Sequence, residues 1–275
     1  MVQAGSMTSL VIASDMDGTL LNQQRQIPER FWPVLKQLHS LGAVFAPASG
    51  RQLYTLLGQF EPAGFPMSVI AENGTVVYHE GEIVSLCTIE ASQAHAVIEA
   101  MESQADQIDW GLVLCRADGA FVTRRDEPFL AQCQPYYARM EIVDDLHAYV
   151  DDQVVKLAIY SFADAESIAA PKLRAAAPGL NVVVSGAHWV DIMDPAANKG
   201  KALEALAQAL GVPMEDTIAF GDYLNDTELL QSAGKAYAME NAHPLIKEIA
   251  DALAPSNADE GVVEVLRGVV EKLRV

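Results

Sequence analysis

The stretch Leu10-Val-Ile-Ala-Ser-Asp15-Met-Asp17-Gly-Thr-Leu-Leu21 constrains the chain more than any other. The apolar run between Ser9 and Ser14 has the unbroken hydrophobicity of a strand buried on both faces, as strands of parallel sheets are. Two carboxylates one residue apart follow it, then Gly18-Thr19. Open α/β sheets carry their chemistry in the crevice beyond the carboxyl ends of the strands, where this pair falls. Carboxylates so close repel each other, so the pair calls for a cation or a shared proton. A plain Asp-Gly turn would use the same residues, and the choice rests on what lies downstream.

The chain has 275 residues, half of them hydrophobic, enough for two domains or for one with a large insertion. Its formal charge of −19 argues against nucleic acid or an anionic membrane as the main partner. It also means that positive charge for an anionic substrate has to be supplied locally, which a bound metal would do. Cys87, Cys115 and Cys133 lack Cys-x-x-Cys spacing and read as reduced thiols of a cytoplasmic protein. No apolar run has transmembrane length, and the first residues lack the basic and apolar regions of a signal peptide. Residues 1–6 read as a leader outside the fold, with Met7 an alternative start.

In chain order, Pro28-Glu29 is expected to open a helix whose Phe31, Val34, Leu35, Leu38 and Leu41 share one face, ended by Gly42. A second strand, Ala43–Ala48, ends in Ser49-Gly50-Arg51 before a helix marked by Leu53, Leu56 and Leu57. There the Ser49 hydroxyl and free N–H groups suit an anion, although a plain helix N-cap is the alternative. Ser68–Ala71 and Thr75–His79 form a hairpin about Glu72-Asn73-Gly74.

From about Glu82 to Met193 the pattern changes. Strands are expected at Ile83–Leu86, Trp110–Cys115, Ala120–Thr123, Val154–Tyr160, Val182–Val184 and Trp189–Ile192, and helices at Ser92–Ala105, Pro128–Tyr137 and Ala165–Ala176. Residues 83–193 therefore read as an inserted α+β domain, with 1–82 and 194–275 forming the core. Arg124-Arg125 reads as a solvated turn, with a grip on an anionic leaving group as the alternative, His188 and Trp189 as a half-buried strand or a pocket wall, and Lys156 as either snorkelling or pocket-facing. After the linker Asp194–Asn198, Lys199 starts a helix at the end where a cation is electrostatically misplaced, which suggests that it faces an anion. The strand Thr217–Phe220 runs into Gly221-Asp222-Tyr-Leu-Asn225-Asp226 and the helix Thr227–Ala233. The strand Lys235–Met239 and the helices Pro244–Ala250 and Gly261–Leu273 close the chain.

Four strand ends or helix starts thus carry Asp15 with Asp17, Ser49, Lys199, and Asp222 with Asn225 and Asp226. Carboxylates, a hydroxyl and an ammonium suit Mg²⁺ and a phosphoryl group, because Mg²⁺ prefers oxygen ligands and keeps several waters. In order, Asp-x-Asp-Gly-Thr, Ser-Gly-Arg, Asn-Lys-Gly and Gly-Asp-x-x-Asn-Asp resemble the haloacid dehalogenase-like (HAD) superfamily phosphatases, specifically the Cof-type hydrolases with a large α/β cap. Tyr237-Ala-Met-Glu-Asn-Ala242 and Ser256-Asn-Ala-Asp-Glu-Gly-Val262 resemble that family's closing segment.

The resemblance implies a Rossmann-like three-layer α/β core with a parallel sheet and an inserted α+β cap. It implies Mg²⁺-dependent hydrolysis of a small phosphorylated metabolite, a sugar phosphate or cofactor phosphate, through an aspartyl-phosphate. Asp15 would be the nucleophile and Asp17 the acid and base. A carboxyl oxygen of Asp15, the backbone carbonyl of Asp17 and the carboxylate of Asp222 would hold Mg²⁺. The Met16 N–H, Ser49, the Gly50 N–H, Lys199 and Asn225 would cradle the phosphate, and Asp226 would orient Lys199 or a metal-bound water. Ser49 stands where the family more often has threonine, and Tyr223-Leu224 is bulkier than usual. The insertion is expected to be a mobile cap that selects the leaving group, hinged at His79–Glu82 and Asp194–Asn198. Two other readings fit the same motifs: a phosphotransferase or mutase using the same intermediate, and a phosphate-binding module without turnover. Asp17 counts against the latter, since a binding module has no need of a second acid beside the nucleophile.

Overall fold

Short apolar runs separated by amphipathic stretches fold here into two sheets with helices packed on them. The computed structural model describes residues 9–274; the expectations for residues 1–6 and Met7 lie outside them. The chain runs β1 (Leu10–Asp15), α1 (Phe31–Ser40), β2 (Ala43–Ala48), α2 (Leu53–Gln59), β3 (Ser68–Ala71), β4 (Val76–His79) and β5 (Glu82–Leu86). There follow α3 (Ala91–Glu102), β6 (Trp110–Arg116), β7 (Gly119–Val122), α4 (Glu127–Cys133), β8 (Met140–Ile142), β9 (Val154–Ser161), α5 (Ala170–Ala176), β10 (Asn181–Val184) and β11 (Trp189–Met193). The remainder is α6 (Lys199–Leu210), β12 (Thr217–Gly221), α7 (Thr227–Ser232), β13 (Lys235–Met239), α8 (Pro244–Ile249), β14 (Ala252–Ala254) and α9 (Gly261–Leu273).

The first sheet has the order β14-β13-β12-β1-β2-β3-β4-β5. Strands from β14 to β3 are parallel, and β4 is antiparallel to β3. This is a Rossmann-like core, with α1 packed beside α9 and α6 beside α7. The strand β1 has β2 on one side and β12 on the other. The chain order reverses there, so the crevice beyond Asp15 is the topological switch point of the sheet. Burial is complete from Val11 to Ala13, as the unbroken apolar run requires.

The chain divides into two compact units. One comprises the residues through Gly50, Leu56–Ser85 and those from Asn198 onward; the other, Arg51–Thr55 and Leu86–Ala197. The strand Ile83–Leu86, expected in the insertion, instead extends the first sheet as β5, because it continues the β4 hairpin across the two-residue turn Glu80-Gly81. Arg51–Thr55 joins the second unit through polar contacts: the Gln52 Nε2 donates to the Arg139 carbonyl and the Arg139 N–H to Gln52 Oε1, each at 2.8 Å.

The second unit has its own sheet, β10-β11-β9-β6-β7-β8, antiparallel except for the parallel pair β7 and β8. Leu112, Leu114, Leu157, Ile159, Val190 and Ile192 form a core with Val97, Ile98 and Leu173 of α3 and α5. Lys156 is fully buried, with its Nζ 5.6 Å from the Tyr137 ring centre, so it does not snorkel. Arg124 is not a solvated turn residue: it pairs with Asp109 and Asp126 and lies 4.7 Å from the centre of the Phe162 ring.

Other differences are local. α1 begins at Phe31 rather than at Pro28, since the Phe31 N–H is taken by the Pro28 carbonyl at 2.9 Å and the first turn forms after it. β8 and β14 were not expected; each has only three residues, too few to display a period. Among the described residues no helix is long and apolar enough to cross a membrane.

Phe31 anchors α1 to the first sheet, fully buried between Phe45 and Phe60 at ring separations of 5.0 and 6.1 Å. Phe31→Ala is expected to cost about 3–5 kcal/mol, read as a lower urea midpoint by circular dichroism; a midpoint within error of the parent would contradict this packing.

Candidate active site

The site is built at the carboxyl ends of β1, β2 and β12 and at the start of α6. Asp15 is the last residue of β1, so its carboxylate stands at the switch point rather than in the sheet, and it is only 7% exposed. Met16 follows with its side chain buried. Asp17 is exposed and Gly18 has φ of +76°. Only glycine fits there: the backbone is left-handed, and a Cβ would overlap the Asp222 carboxylate. Thr19 is buried and donates its hydroxyl to Asp222 Oδ1 at 3.0 Å, which ties the turn after β1 to the loop after β12.

Lys199 is the first residue of α6, whose N-cap Asn198 accepts from the Lys201 N–H at 2.8 Å. The Lys199 side chain is 2% exposed and donates to Asp15 Oδ1 at 2.5 Å and to Asp226 Oδ1 at 2.6 Å. The other oxygen of the fully buried Asp226 accepts the backbone N–H groups of Asp222 and Tyr223 at 3.1 and 3.4 Å. Asp226 thereby fixes the lysine and the loop that carries Asp222. Asn225 is exposed on the turn between them.

Ser49 is buried just beyond β2, its N–H held by the Ile70 carbonyl and its carbonyl by the Asn73 N–H, both at 3.0 Å. A side chain at Gly50 would crowd the Asn73 amide, and one at Gly74 would overlap the backbone of Asn198. The Glu72–Gly74 turn, read from sequence only as a hairpin, is thus the piece against which both the Ser49-Gly50 loop and the start of α6 are set.

Ligand-atom oxygens of Asp15, Asp222 and Asp226 lie within 4.8 Å of one another. Three carboxylates against the one ammonium of Lys199 leave two negative charges, which a divalent cation balances. The titration behaviour expresses the same frustration. Burial, reinforced by Asp226 and Asp222 and opposed by Lys199, pushes Asp15 up to about 8. Burial, then the Asp226 charge, pushes Asp222 up to about 6. The Lys199 ammonium is buried, yet the two aspartates it touches raise it above its ordinary value. All three donors are hard oxygens, and the set fits Mg²⁺. Each of the three could offer an oxygen to the ion, with Asp226 the one whose two oxygens both accept hydrogen bonds as well.

The arrangement brings Asp15, Lys199, Asp222 and Asp226 into contact and leaves the Asp17 side chain outside the carboxylate cluster. Thr19, Asn73, Gly74 and Asn241 also contribute to the site, outside the residues that the motifs single out. Thr19 carried a signal, a hydroxyl placed straight after a glycine at a strand end; the others become visible only when distant loops meet.

The family model described as haloacid dehalogenase-like hydrolase matches residues 12–266. Phosphatase YwpJ of Bacillus subtilis (strain 168) is 29% identical over 281 residues, covering 94% of this chain and 98% of that protein. The 5-amino-6-(5-phospho-D-ribitylamino)uracil phosphatase YbjI of Escherichia coli (strain K12) is 29% identical over 268 residues, 96% of this chain and 97% of that protein. The solved structure of a haloacid dehalogenase-like hydrolase from B. subtilis superposes with a TM-score of 0.79 at 27% identity, over 94% of this chain and 98% of that one.

Protons and Mg²⁺ compete for these carboxylates. Both values are raised, so without the ion the folded site favours the protonated acids, and that contribution to stability fades as pH rises through about 6 and about 8. Mg²⁺ requires the deprotonated groups, so its affinity should tighten across that window and level off above it. Thermal shifts at fixed Mg²⁺ should accordingly grow from pH 6 to 8; a shift independent of pH would contradict the charge assignment.

Proposed function

Because the chain belongs to the haloacid dehalogenase-like hydrolases, we propose that Asp15 is the nucleophile of its phosphoryl-transfer reaction and Asp17 the acid and base. The enzyme is a Mg²⁺-dependent phosphatase acting on a small phosphorylated substrate. The observation that carries the assignment is the environment of Asp15. It sits at the switch point with one oxygen held by Lys199 at 2.5 Å and its carboxyl within reach of Asp222, so it can point its free oxygen at phosphorus. In the attack that oxygen bonds to phosphorus as the ester oxygen leaves, giving an aspartyl-phosphate that water then hydrolyses.

Each further role follows from charge and position. Lys199 offsets the repulsion between the Asp15 carboxylate and a phosphate dianion in a site of low exposure. Asp15, Asp222 and the backbone carbonyl of Asp17 would hold Mg²⁺, which would supply charge neutralisation and orientation of the phosphate oxygens. The Met16 N–H, the Ser49 hydroxyl, the Gly50 N–H and Asn225 complete the cradle. Asp226 keeps Lys199 and the Asp222 loop in register. Asp17, exposed beside the nucleophile, gives its proton to the departing alcohol and then takes one from the attacking water.

The substrate is a sugar phosphate or a cofactor phosphate. The E. coli relative, named for a phosphorylated ribitylaminouracil, favours the cofactor side. A charge of −19 opposes nucleic acid and anionic membrane as partners. Cys87, Cys115 and Cys133 form no disulfide, in keeping with a cytoplasmic location.

A panel of phosphate monoesters with released phosphate as readout tests the reading. Asp15→Asn should remove turnover by about four orders of magnitude or more while keeping the thermal unfolding profile; substantial phosphate release by that variant would overturn the nucleophile assignment.

A further inference from the structure

Asp17 lies outside the buried carboxylate cluster, and its side chain is exposed. A general acid has to be held within hydrogen-bond reach of the leaving oxygen. The backbone that carries Asp17 sets where its side chain starts from. The turn carrying Asp17 is closed by the Leu21 N–H, which donates to the Met16 carbonyl at 2.8 Å. Two of its other carbonyls are taken by asparagines more than two hundred residues away. The Asn241 Nδ2 donates to the Gly18 carbonyl at 2.7 Å, and the Asn257 Nδ2 donates to the Leu21 carbonyl at 2.8 Å.

The Asn241 amide is itself oriented. Its Oδ1 accepts the Asn257 backbone N–H at 3.0 Å, which leaves the NH₂ group to face Gly18. Two residues on, the His243 N–H donates to the Asp222 carbonyl at 2.8 Å. The short segment after β13 therefore grips both the Asp17-Gly18 turn and the Asp222 loop. Gly18 is the point where this grip counts most, since its left-handed backbone turns the chain directly between Asp17 and Thr19, whose hydroxyl holds Asp222.

We propose that Asn241 is a positioning residue for proton transfer: by holding the Gly18 carbonyl, with its own amide set by Asn257, it aims Asp17 at the leaving-group oxygen. This deepens the acid and base role given to Asp17 above and rests on it. Asp15, Lys199 and Asp222 are held by contacts of their own; the Asp17 carbonyl on the same turn would also hold Mg²⁺, so both esters are assayed at saturating Mg²⁺, where the loss falls on the steps that need the proton.

Leaving-group dependence reads this directly. An alkyl ester such as glycerol 3-phosphate needs its leaving oxygen protonated, whereas p-nitrophenyl phosphate expels a stable phenolate with little help. Asn241→Asp keeps the size and the acceptor for Asn257 but loses the donor to Gly18; Asn241→Ala loses both. For each, kcat on the alkyl ester should fall about 30- to 100-fold, the scale of a misplacement of about 1 Å. On the aryl ester it should fall less than about 3-fold, within the ordinary scatter of a remote change. Asn257→Ala should shift the ratio the same way by a smaller factor. Equal losses on both esters, as a purely structural role would give, or no change in the ratio, would overturn the proposal. Asp17→Asn is run beside them. If it penalises the alkyl ester selectively and the Asn241 variants do not, only the positioning role fails; if it shows no selectivity, the acid role fails and the positioning role with it.

Discussion

The ammonium of Lys199, buried between Asp15 and Asp226, is the contact on which the rest of the site depends. Removing an ion from water is costly, and a buried ammonium persists only where its partners repay that cost. Here two carboxylates at 2.5 and 2.6 Å do so, and each belongs to a different strand end. The pair thereby locks the start of α6 to the end of β1 and to the loop after β12. The same contacts leave a surplus of negative charge, since Asp222 adds a third carboxylate within 4.8 Å. A structure optimised for stability alone would not gather them. Their crowding makes sense as a site completed by a divalent cation and a phosphate.

The parallel sheet makes the gathering possible. Strands in parallel order end on one edge, so residues far apart in sequence meet there without any long loop. Reversal of strand order at β1 opens the crevice into which Asp15 projects. Small residues then permit close approach: Gly18 lets the Asp222 carboxylate come against the turn after β1, and Gly74 lets the β3–β4 turn lie against the start of α6. Polar side chains finish the register, with Thr19 bound to Asp222, Asp226 to two backbone N–H groups, and Asn241 to Gly18.

Much of this was legible in the sequence. The unbroken apolar run before Asp15 specified a buried strand, and the ordered motifs located Asp15, Lys199, Asp222 and Asp226. Lys199 at a helix start, the wrong end for a cation, signalled an anionic neighbour and has two. Other features were legible only in part. The three-residue strands β8 and β14 carry no period to read, and β5 resembled the strands that follow it because alternation does not say which sheet a strand joins. Lys156 looked able to snorkel, but the strand β9 is buried throughout and leaves no path to water. Asn241 and Asn257 were visible as members of a motif, yet hydrogen bonds to Gly18 and Leu21 span more than two hundred residues and have no local signature.

The central claim is that phosphoryl groups pass through Asp15. Rapid quenching of the enzyme with Mg²⁺ and excess p-nitrophenyl phosphate, followed by borohydride reduction and peptide mass spectrometry, tests it most directly. An acyl phosphate is reduced under these conditions, so the account predicts that the peptide containing Asp15 is recovered with that side chain converted to an alcohol, in substrate-treated enzyme alone. Reduction at another residue, or none at Asp15 while product is forming, would contradict it.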